Sequence, residues 1–153
     1  MDNIDYFAEC LSELMADNEM TVGELSEKTG IRASRIYDFL GGKHIPSLQN
    51  AIRIADLFGC PLDFLFGFVP DFRPQKYVLN GTVTQNVRAA MDAYRDTRYR
   101  LHKNTGIDES QLRRWYIGKQ TPSLVSLITL ARALDVSVDK LVGRGVSAGS
   151  RQV

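Results

Sequence analysis

The sequence predicts an all-α protein made of two tandem copies of one five-helix domain. Three observations carry that expectation: a gapless internal repeat, apolar residues at helical spacing within each copy, and almost no strand signal. The repeat has an offset of about 76 residues. Thr29-Gly30-Ile31 recurs as Thr105-Gly106-Ile107, Gly42-Lys43 as Gly118-Lys119, and Pro46-Ser47-Leu48 as Pro122-Ser123-Leu124. Thr21, Leu25, Ser34, Ala55, Asp63, Leu65 and Gly67 likewise meet Thr97, Leu101, Ser110, Ala131, Asp139, Leu141 and Gly143. Roughly a third of residues 15–67 match their partners, a register that chance similarity does not keep over such a length. Two repeats are too few for a solenoid and read as two small domains.

In the first copy, Phe7, Leu11, Leu14 and Met15 recur at helical spacing and give a first helix over about residues 3–18. Thr21 followed by Glu24 is a capping box, so a short second helix opens there and ends near Gly30. A third runs from about Arg32 to Leu40, with Ile36 and Phe39 facing inward and Gly41-Gly42 as its stop. Ser47 caps a fourth, whose apolar stripe is read as Leu48, Ala51, Ile52, Ala55 and Leu57. Pro61 suits the first turn of a short fifth helix carrying Leu62 and Leu65.

The second copy repeats the plan. Its core is expected at Val87, Ala90, Met91, Leu101, Leu112, Trp115, Leu124, Leu127, Ile128, Ala131, Leu134, Val138 and Leu141. Asp108 with Gln111 reads as a variant capping box at its third helix. The expected organisation is a domain over 1–68, a linker over 69–80, a domain over 81–144 and a tail over 145–153. Pro70, Phe72, Pro74, Tyr77 and Leu79 make the linker unlike a flexible Gly/Ser tether, so it is expected to pack on a domain. Only Tyr77-Val78-Leu79 reads as extended. The run after Gly143, Arg144-Gly145-Val146-Ser147-Ala148-Gly149-Ser150, is small and polar and is expected to fray.

Composition excludes several classes. Hydrophobic residues at 44% and charged residues at 24% argue against wholesale disorder. No run of 18 apolar residues exists to cross a membrane as a helix. The start, Met1-Asp2-Asn3-Ile4-Asp5, is acidic where a signal peptide is basic, which places the chain in the cytoplasm. Cys10 and Cys60 are too few for a disulfide framework or a zinc site, and His44 and His102 have no ligand partners at metal spacing. No nucleophile triad, paired catalytic carboxylates or Gly-rich phosphate loop is apparent. Neither an enzyme nor a cofactor site is expected.

Helices two and three of each copy are joined through Thr-Gly-Ile, a connection short enough to hold them at a steep angle. Here the sequence closely resembles the Cro/lambda-repressor family of XRE-type helix-turn-helix domains. The carriers are Thr21 to Leu25, Thr29-Gly30-Ile31, Ser34, Ile36, Gly42-Lys43, Pro46-Ser47-Leu48 and Leu62-Asp63 through Gly67, with their matches from Thr97 to Gly143. The resemblance implies lambda-repressor-like domains whose third helix enters the major groove of double-stranded DNA while the second crosses the backbone at its start. Phosphate contacts then fall at Thr21 and Val22, at Thr97 and Arg98, and at Lys43 and Lys119 after the recognition helices. Outward recognition positions fall at Arg32, Ala33, Ser34, Arg35, Tyr37 and Asp38, and at Asp108, Glu109, Ser110, Gln111, Arg113 and Arg114. The implied activity is transcriptional regulation, as a repressor.

The overall charge of +1 does not suggest a nucleic-acid partner, but it averages two unlike halves. Residues 1–68 hold five basic and eleven acidic side chains, whereas residues 81–153 hold twelve basic and six acidic. Phosphate neutralisation dominates affinity, so the second copy is expected to be the stronger binder. Arg95, Arg98, Arg100 and Lys103 gather around its second helix, and Arg113, Arg114 and Lys119 around its third. Arg114 suits guanine and Gln111 adenine as bidentate readers. In the first copy Val22 and Asp38 stand at positions where the family places polar contacts. That copy is therefore the candidate for a protein partner, with Asp38, Leu40 and exposed aromatics at Phe64, Phe66 and Phe68. An adaptor or antitoxin-like module is the alternative reading.

Phe39 and Trp115 share register with Ile36 and Leu112 and are expected in the core. Tyr37 is open to either contact or cover. The run from Phe68 to Asn80, about 13 residues, spans roughly 43 Å when fully extended, against about 34 Å for one turn of DNA. One chain can then address two half-sites, and homodimerisation through the acidic copy is the competing arrangement.

Overall fold

The computed structural model describes residues 2–147. It divides into two compact units, Met1–Lys76 and Tyr77–Val153. Among the described residues no helix is long and apolar enough to cross a membrane.

The first unit is all helical. Helix α1 (Asn3–Asp17) begins where Asp2 accepts the Asp5 N–H, and it buries Phe7, Ala8, Cys10, Leu11, Leu14 and Met15. Helix α2 (Val22–Thr29) opens on the capping box: Thr21 Oγ1 accepts the Glu24 N–H, and the Glu24 carboxylate accepts the Thr21 N–H. Helices α3 (Ala33–Leu40), α4 (Leu48–Phe58) and α5 (Leu62–Leu65) follow, with Arg32, Ser47 and Pro61 at their starts. The core centres on Phe7, whose ring stacks with Phe66 and meets Phe39 edge-on, both at 5.6 Å.

The repeated Thr-Gly-Ile has a specific cause. Thr29 Oγ1 donates to the Leu25 carbonyl and accepts the Ile31 N–H, so it satisfies the end of α2 and the start of the turn together. Gly30 supplies the left-handed residue between them, at φ 76°. Thr105, Gly106 and Ile107 repeat every one of these contacts, with Gly106 at φ 74°. A further tie closes each turn: Ser26 Oγ donates to the Ile31 carbonyl, and at the matching position His102 Nδ1 lies 2.6 Å from the Ile107 carbonyl oxygen.

The second unit begins with strand β1 (Tyr77–Leu79), followed by α6 (Val83–Ala93), α7 (Arg98–Thr105), α8 (Glu109–Tyr116), α9 (Leu124–Leu134), α10 (Val138–Val142) and strand β2 (Arg144–Val146). The strands pair antiparallel, Tyr77 with Val146, Val78 with Gly145 and Leu79 with Arg144. The core residues expected here are buried except Met91, which is half-buried, and Leu130 and Val142 join them. At the end of α9 the left-handed residue is Asp135, where the first copy has Gly59.

Several expectations are corrected. The segment after Gly143 does not fray at its start: Arg144–Val146 is β2, because the chain leaving α10 meets the extended run Tyr77–Leu79. Residues 148–150 of that run lie outside the described residues. The expected linker is divided between the units. Phe72 packs edge-on against Phe64, and the Gln75 N–H donates to the Gly59 carbonyl, while Tyr77–Leu79 belongs to the second unit.

In α4 the buried row is Ala51, Ile54, Ala55 and Phe58, a strict i, i+3, i+4, i+7 stripe; Leu48, Ile52 and Leu57 sit half-buried on its edges. The Asp108–Gln111 box does not form. Asp108 makes no side-chain cap, and the Gln111 side chain that would return to it is committed to Gln120 and Arg114. A true box stands instead at α6, between Thr82 and Gln85. Phe66 is buried and Phe64 and Phe68 are half-buried, so they are not the exposed aromatics expected of the first copy.

Candidate nucleic-acid interface

Each unit presents its second and third helices as a helix-turn-helix. On α3, Ile36 and Phe39 turn into the core, which leaves Ser34, Arg35 and Tyr37 on the outer face. Tyr37 is 63% exposed. Arg32 and Lys43, which flank the helix, are also exposed. The start of α2 is occupied by its own sequence: the Thr21 hydroxyl both caps Glu24 and donates to the Glu24 carboxylate at 3.1 Å. A carboxylate already sits where a phosphate would be held.

The second unit differs at that point. Thr97 caps α7 by accepting the Arg100 N–H, and its own N–H donates to Asp96. The third position of the helix is Arg100, so no acidic side chain lies in the first turn. Cations there oppose the helix dipole, an arrangement that an approaching anion relieves. Arg100 has an exposed pairing with Asp96 at 3.5 Å, which solvent leaves weak.

On α8, Leu112 and Trp115 enter the core, and Ser110 and Arg113 are exposed, with Lys119 exposed just beyond. The two expected base readers are joined. Arg114 Nη2 donates to Gln111 Oε1 at 2.8 Å, and Gln111 Nε2 donates to Gln120 Oε1 at 2.9 Å. Among the described residues Arg114 Nε and Trp115 Nε1 are buried without a hydrogen-bond partner. Gln111 and Arg114 therefore form one connected polar row on the helix rather than two independent forks.

Sequence reasoning missed the group around Tyr116. The Tyr116 hydroxyl donates to Asp92 Oδ1 at 2.8 Å, and Arg88 Nε donates to the Tyr116 carbonyl, also at 2.8 Å. The guanidinium carbons of Arg88 and Arg98 lie 5.1 and 4.9 Å from the centre of the Tyr116 ring, within cation–π range. The hydrogen bond to Asp92 raises the Tyr116 pKa above 10.0, with burial adding to it and the two arginines opposing. Arg88 carries no repeat signal, since its counterpart is Ser12. Only its i, i+4 spacing to Asp92 could have marked it.

Other reactive groups are built into the scaffold. Cys10 and Cys60 are buried free thiols. Burial, and to a lesser extent Glu13, pushes the Cys10 thiol up to about 12, leaving it a protonated core group. Among the described residues no group of three or more His, Cys, Asp or Glu is placed to hold a metal ion.

The chain matches the sequence model of the Cro/C1-type helix-turn-helix DNA-binding domain twice, over residues 10–71 and 86–144. It is 35% identical over 57 residues to an SPbeta prophage-derived uncharacterized HTH-type transcriptional regulator, YotL, of Bacillus subtilis, a match covering 37% of this chain and 71% of that protein. Replication factor C small subunits also match. That of Thermococcus kodakarensis is 42% identical over 67 residues, and that of Methanocaldococcus jannaschii 53% over 36. These matches take 41% and 24% of this chain but only 8% and 2% of those proteins. No solved structure matches.

Proposed function

The chain belongs to the Cro/C1-type helix-turn-helix DNA-binding domain family, with two copies in tandem, and from that premise we propose that it is a transcriptional regulator that reads double-stranded DNA mainly through its second copy. The observation that carries the choice of copy is the contrast between the two helix starts. In the first, the only charge in the opening turn of α2 is Glu24, while in the second Arg98 and Arg100 stand in the first turn of α7 and the one carboxylate at the cap, Asp96, lies before the helix and pairs only weakly with Arg100. A phosphate is attracted to the second and repelled from the first. Thr97, Arg98 and Lys119 are assigned to the backbone. Ser110 and Arg113 are assigned to the groove, along with the Gln111–Arg114 row, which must open to use both forks. Thr21, Arg32, Ser34, Arg35 and Lys43 are the weaker, first-copy set. Repression follows if the bound site overlaps a promoter.

A selection of bound duplexes from a random pool by the full chain tests this reading. Sequence enrichment is expected, and it should survive Arg32→Ala with Arg35→Ala but not Arg98→Ala with Arg113→Ala. Arg98→Ala should weaken all sequences alike, whereas Arg114→Ala should change the enriched sequence. Absence of duplex binding at low salt would remove the reading. Two-fold symmetry in the enriched site would report a homodimer. A protein partner for the first copy is the second reading, favoured by Tyr37 standing 63% exposed on α3 in an acidic unit. Co-purification that depends on Tyr37 but not on Arg113 would support it.

A further inference from the structure

Resting on the DNA-binding reading, we infer that Arg88 and Arg98 form a two-cation seat for one backbone phosphodiester of duplex DNA, kept open by the hydrogen bond from Tyr116 to Asp92. Arg88 and Asp92 are four residues apart on α6, the spacing at which opposite charges on an exposed helix ordinarily pair. They do not pair here. Asp92 takes the Tyr116 hydroxyl, and Arg88 places its Nε on the Tyr116 carbonyl.

Arg98, at the start of α7, is drawn to the same ring. Two guanidinium groups are thereby gathered beside one tyrosine, and neither forms an ion pair within 4 Å among the described residues. Like charges brought together repel, and an anion between them removes the cost. Arg88 spends only its Nε, so its Nη groups remain for an oxyanion, the fork geometry that suits phosphate.

The two repeats supply the comparison. Arg88, Asp92, Arg98 and Tyr116 correspond to Ser12, Ala16, Val22 and Leu40, and none of those four can build any part of the group. The whole set is present in the basic copy and wholly missing from the acidic one, as expected of parts that work together. Tyr116 is in this account a positioning residue. Its ring orders both arginines, and its hydroxyl keeps the Asp92 carboxylate off Arg88 without itself touching DNA. The seat adjoins the first turn of α7, whose dipole favours the same anion.

The test is the salt dependence of duplex binding by the full chain and its variants, with far-UV circular dichroism to confirm folding. Arg88→Ala should raise Kd roughly tenfold at low salt and reduce the slope of log K against log salt by up to about 0.9, since Arg98 keeps part of the contact. Tyr116→Phe keeps the ring and loses the hydroxyl, so Asp92 turns to Arg88 and binding weakens severalfold with a similar loss of slope. Adding Asp92→Ala to Tyr116→Phe should restore wild-type affinity and slope, whereas adding Asp135→Asn, a charge change just after α9, should not. A wild-type slope in Arg88→Ala, or no rescue by Asp92→Ala, overturns the inference while leaving DNA binding intact. Failure of the wild type to bind duplex at low salt overturns both. Titration with inorganic phosphate, read from the Tyr116 ring resonances, should show no saturation below millimolar concentrations. Tight saturation there would assign the seat to free phosphate instead.

Discussion

Arg144 Nη1 lies 2.9 Å from Asp139 Oδ1, and the two side chains are only 1% and 9% exposed. The Arg144 guanidinium carbon also sits 3.9 Å from the centre of the Tyr77 ring. One buried cation thereby ties β2 both to α10 and to β1. The first copy keeps the matching Asp63 but has Phe68 where Arg144 stands, so this clamp belongs to the second unit alone.

Breaking a buried pair leaves a charge without compensation, which costs more than the pair contributes when intact. Asp139→Ala is expected to lower the unfolding free energy of the second unit by about 3 kcal/mol. Replacing both partners, Asp139→Leu with Arg144→Met, should cost less than the single change. Urea unfolding of the full chain, followed at Trp115 in the core of that unit, measures both. A near-neutral Asp139→Ala would show that the pair carries no such role.

The glycines separate two kinds of constraint. Gly30 and Gly106 have positive φ, but a Cβ at either would meet nothing within 4 Å. Alanine there costs only the left-handed backbone, about 1 kcal/mol. Gly143 is also left-handed, at φ 87°, and a Cβ there would run into the backbone carbonyl of Asn80 and the Asn86 side-chain amide that donates to it. Gly143→Ala should therefore cost at least twice as much as Gly106→Ala. Thermal melts of the two variants decide it, and equal losses would mean that β1 yields freely at Asn80.

The repeat made the fold legible because local chemistry decides most of it. Thr21, Thr29, Ser47 and Thr105 do in space what their types suggest in sequence, each satisfying backbone groups within a few residues. What escaped depended on partners distant in the chain. Arg144–Val146 reads as a polar tail until Tyr77–Leu79 is beside it, since a three-residue strand has no pattern of its own. Asp108 and Gln111 have capping-box spacing, yet Gln111 finds Gln120 and Arg114 instead. In the candidate site the exposed cations were visible by spacing, but the Arg88–Tyr116–Arg98 group joins three helices and has no counterpart in the first copy.

That group also fixes a pH dependence. The Tyr116 hydroxyl donates to the Asp92 carboxylate, which favours the neutral phenol and raises its pKa above the ordinary 10.0. An acid raised on folding contributes stability at every pH below its unfolded value and loses it as the pH climbs through the folded one. The hydrogen bond is thus intact across the neutral range and fails only in strong alkali. Tyr116 is expected to ionise only above the ordinary tyrosine value. Asp92→Ala removes the largest raising cause and leaves Arg88 and Arg98, which favour the phenolate, so Tyr116 should then ionise at lower pH than in the wild type. Ring-carbon chemical shifts followed through an alkaline titration resolve the tyrosines individually. If Asp92→Ala leaves the Tyr116 titration where it is in the wild type, the hydroxyl is not bound to Asp92 in solution, and the carboxylate is free to close on Arg88.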